Sequence, residues 1–273
     1  MIKSKQTVSV FIPTFSGPVR IISIEELDRE TSRSVVCIDG STRTTLPGQR
    51  DYQAFVSAPT GPIETLFGHS RYRVDVSGPI DAGCGWQLGL LAAHALHHAG
   101  RLAACDQPAD IMLLATGEAR YQLDVAAIGH LQEKMDLSTD VMRAASDDGR
   151  PIVYAFPAAN GDDLDDAARQ RLAGFKARVL PLTEIDALFQ ELNLPLATRA
   201  VTTARSWRTS GMVGVLTESL HLDENEPTLD QLRSTAEKCG VSFDMFVTQA
   251  VLHWAQVCEE EIRAGKNSGG SLG

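Results

Sequence analysis

The sequence contains no Cys-x-x-Cys pair; its five cysteines, Cys37, Cys84, Cys105, Cys239 and Cys258, are scattered and odd in number. Neither a disulfide framework nor a zinc site is expected from that pattern, and the thiols are read as reduced. Also missing is any apolar run near the roughly 20 residues that a membrane-spanning helix needs. The most apolar stretch, Leu88 to Leu96, is short and carries His94, so no membrane role is expected. Met1 to Thr14 has no long apolar region followed by a small-residue cleavage site, which makes a cytoplasmic location the expectation. Clustered Lys and Arg are lacking as well. With a net charge of −10, the chain is not expected to bind nucleic acid, because phosphate recognition draws on such clusters. No Gly-x-x-x-x-Gly-Lys-Ser/Thr loop occurs, and no cofactor or metal is expected.

What is present is an ordinary globular composition, 43% hydrophobic and 22% charged, so most of the 273 residues should fold. From Val8 to Tyr72, short β-rich runs (Val8–Ile12, Ser34–Ile38, Gln53–Val56) alternate with turn clusters such as Asp39-Gly40 and Pro47-Gly48. A strand at Arg71–Val76 leads through the glycine-rich loop Ser77–Gly85 into a helix over Trp86–Ala99. That helix is apolar on nearly every face, ends at Gly100, and should be buried. A strand over Asp110–Ala115, a short one near Gln122–Ala127 and a helix over Leu131–Ala145 follow. After them come a strand over Pro151–Phe156, a polar turn at Asn160–Asp163, a helix through Leu172, a strand over Ala177–Pro181 and a helix over Glu184–Leu192.

The expected class is mixed α/β. Residues 1–60 are read as a β-rich N-terminal part packed on a main domain of residues 61–194. Residues 195–264 are read as a helical C-terminal appendage, with helical patterns near Thr228–Lys238 and Phe243–Ala264, and residues 265–273 as a disordered tail.

One constellation has the parts of a hydrolase: the glycine-rich loop feeding a buried helix, then Thr116-Gly-Glu118, then Ile128-Gly-His-Leu-Gln-Glu-Lys134. Helix N-terminal amides can hold an oxyanion, a loop residue can attack, and a lysine stripped of water can serve as base because burial lowers its pKa.

Thr116-Gly-Glu118 and Ile128–Lys134 resemble two segments of the proteolytic domain of Lon-type proteases. There a Thr-Gly-Glu follows a buried strand, and an Ile-Gly-Gly-Leu-Lys-Glu-Lys segment ends in the lysine that partners the catalytic serine. Phe156-Pro-Ala-Ala-Asn-Gly-Asp-Asp-Leu164 is similar to that family's Ile-Pro-x-x-Asn-x-x-Asp-Leu stretch, and Val179–Leu188 is similar to its closing strand and helix. The resemblance covers about half of the chain and implies a Lon-like fold, with Lys134 as base supported by Thr116 and Glu118. Without an ATP-binding loop, any ATP dependence would require a separate ATPase chain.

The family's Gly-Pro-Ser-Ala-Gly is replaced by Gly83-Cys-Gly-Trp-Gln-Leu-Gly89, so the nucleophilic serine is missing. Its position falls on Gly85 or Gln87 according to where a gap is placed, and Cys84 is the one nucleophile nearby. Two functions follow as expectations. One is a scaffold or partner-binding module with an abandoned site, engaging a protein or peptide or a further copy of itself. The other is a peptidase of unstructured protein using a Cys84/Lys134 dyad, in which a helix N-terminus lowers the thiol pKa. His94 and His98 lie four apart on one helix face, but no third ligand completes a metal set, and they are read as packing residues. His130 stands where the family has a second glycine, and either tunes the site or caps the helix.

Overall fold

The computed structural model describes residues 6–28, 33–41, 49–57, 61–105, 107–120 and 123–194; for 49–51 only the backbone is described. The helical patterns and tail expected beyond residue 194 lie outside the described residues.

Seven strands form a mostly parallel sheet in a mixed α/β architecture. They are β1 (Val8–Ile12), β2 (Val19–Glu26), β3 (Val35–Ile38), β4 (Tyr72–Val76), β5 (Ile111–Ala115), β8 (Ile152–Pro157) and β9 (Arg178–Leu182). Their order is β3-β4-β2-β1-β5-β8-β9. β1 is antiparallel to β2 and β2 to β4, while β1–β5, β5–β8, β8–β9 and β3–β4 run parallel. A short pair, β6 (Glu118–Ala119) and β7 (Val125–Ala126), stands apart. β1 sits between β2 and β5, so the N-terminal strands share one sheet with the later ones. β5 and β8 are buried along their whole length, as expected of parallel strands covered on both faces.

Helix α3 (Gln87–His98) covers one face against β1, β2 and β5, and every residue from Leu88 to Leu96 is buried. On the other face, α4 (Leu131–Leu137), α5 (Thr139–Asp147) and α6 (Asp166–Gly174) pack through Leu131, Met135, Met142, Ala168 and Leu172 onto Met112, Leu114, Tyr154 and Phe156. The last element among the described residues is α7 (Ile185–Glu191).

Two expectations on local structure are corrected. Gln53–Val56, read as a strand, lies in helix α1 (Gln49–Val56), which precedes α2 (Pro62–Phe67). Tyr52, Phe55 and Val56 are spaced at i, i+3 and i+4, a helical stripe, and all three are buried. Phe55 meets the Trp86 ring edge-on at 5.2 Å. The single helix expected over Leu131–Ala145 is divided between α4 and α5 at Ser138. There the hydroxyl donates to Lys134 O at 2.7 Å, and the amide turns instead to Met135 O at 3.0 Å.

Candidate functional site around Lys134

The loop that leaves β4 is fastened to the end of β5 before it enters α3. Gly85 O accepts from Thr116 Oγ1 at 3.1 Å and from Gly117 N at 2.9 Å, and Leu88 N, in the first turn of α3, donates to Gly117 O at 3.0 Å. Thr116 is fully buried. A side chain on Gly117 would meet Val125 Cγ1 at 3.0 Å, so the close crossing of the two segments requires glycine there.

Lys134 reaches this junction from α4 and is only 7% exposed. A Cβ on Gly85 would stand 3.0 Å from Lys134 Nζ, 3.3 Å from Thr116 Oγ1 and 3.8 Å from Ile128 Cγ2. The structure therefore brings Lys134, Thr116 and Gly85 together. Of the two positions left open by the sequence, Gly85 has a side-chain direction that meets the lysine, and Gln87 is the half-buried first residue of α3.

Burial pushes the Lys134 pKa down, and Asp81 opposes that shift by its charge. Among the described residues Lys134 forms no ion pair. Its Nζ lies 5.2 Å from the centroid of the Phe15 ring, and that ring meets His130 edge-on at 5.2 Å. Asp81 accepts from Phe15 N and so ties the β1–β2 turn to the loop ahead of α3. An amine in this setting can take up a proton or attack an electrophile.

The segment carrying Lys134 is pinned from behind. Asn160, 5% exposed, accepts from Ile128 N at 2.9 Å and donates to Ile128 O at 2.8 Å. His130 then starts α4 at φ 61°, a left-handed conformation that glycine enters without cost. Its Nδ1 is 3.1 Å from Glu133 Oε2, and its side chain is largely exposed.

Glu118 pairs with Arg120 at 3.0 Å, and Asp124 reaches the same guanidinium at 3.6 Å. Cys84 is exposed; the Arg120 pKa is raised chiefly by its hydrogen bond to Glu118 and in smaller part by the charges of Asp124 and Cys84. His94 is buried against Tyr52 and Tyr72, with the Tyr52 hydroxyl 2.9 Å from its Nε2. Among the described residues no group of three or more His, Cys, Asp or Glu is arranged to hold a metal ion. An open groove of about 600 Å³, lined by residues that include Ser9, Phe11, Arg20 and Arg150, shares no residue with the Lys134 cluster.

Sequence reasoning missed Phe15 and Asp81 as parts of this neighbourhood, and Arg120 as the partner of Glu118. Asp81 had a signal in standing within the glycine-rich loop, and Phe15 in being an aromatic beside a Gly-Pro turn; Arg120 had none. None of the described helices is long and apolar enough to cross a membrane. No protein-family model matches the chain, and no curated protein matches it in sequence.

Proposed function

We propose that this chain has a Lon-like proteolytic-domain fold in which the nucleophile position is Gly85. The site has then lost peptide hydrolysis, and the domain serves as a non-catalytic module that engages a polypeptide partner. The observation that carries the reading is the 3.0 Å separation between a Cβ at Gly85 and Lys134 Nζ, with Thr116 Oγ1 at 3.3 Å. A serine there would begin within reach of a buried amine, the arrangement a Ser/Lys dyad requires. Glycine has no group that can form an acyl intermediate. Cys84 stands one residue before Gly85 and is exposed, whereas the side-chain direction that meets the buried amine belongs to Gly85, which supports the non-catalytic reading over a Cys84/Lys134 dyad. The partners this reading admits are a protein or peptide, a separate ATPase chain, or a second copy of this chain.

The test is to restore the nucleophile. Wild-type protein should leave an unstructured substrate such as casein intact, while Gly85→Ser should be labelled by a serine-directed fluorophosphonate and lose that label when combined with Lys134→Ala. A folded Gly85→Ser protein that takes no label would overturn the assignment of Gly85. Wild-type cleavage abolished by Cys84→Ala would replace the module by the cysteine dyad.

A further inference from the structure

We infer that the open groove over β1 and β2 binds a small organic carboxylate with an apolar tail, the carboxylate on Arg20 and the tail along Phe11. The groove shares no residue with the Lys134 cluster, so the inference stands apart from the Lon-like reading. Its origin is the period of the strands. Ile12 faces Gly89 of α3, so by alternation Ser9 and Phe11 lie on the opposite face of the sheet, and Arg20, which stands opposite Phe11 in register, joins them. On that face α4, α5 and α6 pack onto β5 and β8, with Phe11 at the border of the core they form. Over Ser9, Phe11 and Arg20 a space of about 600 Å³ is left, walled by the loop before β5 and by Asp148 and Arg150 at the end of α5. A volume of about 300–1,000 Å³ is usual for small-molecule sites.

The charges of the groove set the ligand's head. Arg150 donates to Asp148 Oδ2 at 2.8 Å, so these two cancel. Arg20 forms no ion pair among the described residues; its Nη2 donates to Ala104 O at 3.0 Å and its Nη1 to Cys105 O at 3.4 Å. Each of those nitrogens carries a second N–H, which leaves a forked donor pair for an oxyanion. One unpaired guanidinium in a chain of net charge −10 calls for one negative charge, which a carboxylate supplies and a doubly charged phosphate exceeds. The half-buried Phe11, with Pro108 and Ala109, forms the apolar part of the wall, and the tail lies there.

The test uses two thiols of the same molecule. Cys105 lines the groove and is exposed, while Cys84 is exposed outside it. The full chain is treated with N-ethylmaleimide at rising hexanoate, and the labelling rate of each thiol is followed by peptide mass. Hexanoate should slow Cys105 severalfold, with half of the effect at a concentration on the order of 1 mM, and leave Cys84 unchanged. Neutral 1-hexanol and tail-less acetate should each protect Cys105 about tenfold less well. Arg20→Gln should weaken protection by hexanoate about tenfold. At the exposed rim, Gln107→Glu should weaken it and Gln107→Lys strengthen it. No slowing of Cys105 up to about 20 mM hexanoate, or equal slowing of both thiols, would overturn the site. Equal protection by 1-hexanol would overturn the role of Arg20, and equal protection by acetate that of Phe11. If Arg20→Gln does not fold, the wild-type comparison and the Gln107 variants decide, and protection unchanged in both Gln107 variants would overturn the proposal.

Discussion

Asn160 grips Ile128 by both of its backbone groups, accepting from the amide at 2.9 Å and donating to the carbonyl at 2.8 Å. The same amide nitrogen also donates to Asp163 Oδ2 at 2.7 Å. The grip sets where α4 begins, and so where Lys134 lies. Asn160→Ala leaves two backbone groups without their side-chain partner and should cost roughly 2–4 kcal/mol. Urea unfolding measures it, and a loss below about 1 kcal/mol would show that the contact positions nothing.

Gly89 faces β1 and the end of β5 from inside α3. A Cβ there would stand 2.7 Å from Ile12 Cγ1 and 2.9 Å from Ala115 O, the second a backbone atom of a buried strand. Replacing a mid-helix glycine by alanine gains about 1 kcal/mol of helix propensity, whereas overpacking a filled core costs roughly 1–3 kcal/mol. The strand cannot retreat cheaply, so Gly89→Ala should destabilise on balance. A raised melting temperature for that variant would contradict the packing described.

Arg101, 5% exposed, joins chain segments that are remote in sequence. Its Nε donates to Gln6 O at 2.9 Å and its guanidinium to Leu192 O at 2.6 Å. A lysine has one nitrogen for these separate acceptors, so Arg101→Lys should cost roughly 2–3 kcal/mol despite keeping the charge. Amide exchange should show the loss in both of the joined segments, around β1 and α7. Exchange that speeds up only near residue 101 would count against the joint.

His94 makes stability depend on pH. Burial lowers its pKa from 6.5 to about 3, so between those values the unfolded chain binds a proton that the folded chain refuses. The stability is present above the unfolded pKa and is lost as pH falls toward the folded one. From about pH 7 to about pH 4 this single group should remove about 3 kcal/mol. His94→Gln, which can still bond the Tyr52 hydroxyl, should flatten that part of the profile. Parallel wild-type and variant profiles in urea titrations across this range would refute it.

Much of the architecture is written locally. The apolar run from Leu88 to Leu96 can only be a buried helix, and Ile111–Ala115 and Ile152–Phe156 are near-continuous apolar runs of the kind that central parallel strands require. The pairing of Thr116 with Lys134 was expected from the resemblance of Thr116-Gly-Glu118 and Ile128–Lys134 to two Lon-type segments, not from the patterning of either segment. β2 was not legible. Its residues Val19–Glu26 alternate only weakly between buried and half-exposed, so neither period stands out.

By itself the sequence determined the mixed α/β class, the buried helix after the glycine-rich loop, and the absence of a serine at the entry to that helix. Which residue of that loop stands against Lys134 was decided by the tertiary structure, because a loop of glycines can enter α3 in more than one register. The register is set by the bonds of Gly85 O to Thr116 and Gly117, contacts made across the fold. The same holds for the surroundings of Lys134. Phe15 and Asp81 come from the β1–β2 turn and the loop before α3, while Asn160, from the turn after β8, holds the Ile128 backbone ahead of α4, and only the packing of the sheet brings such distant segments together.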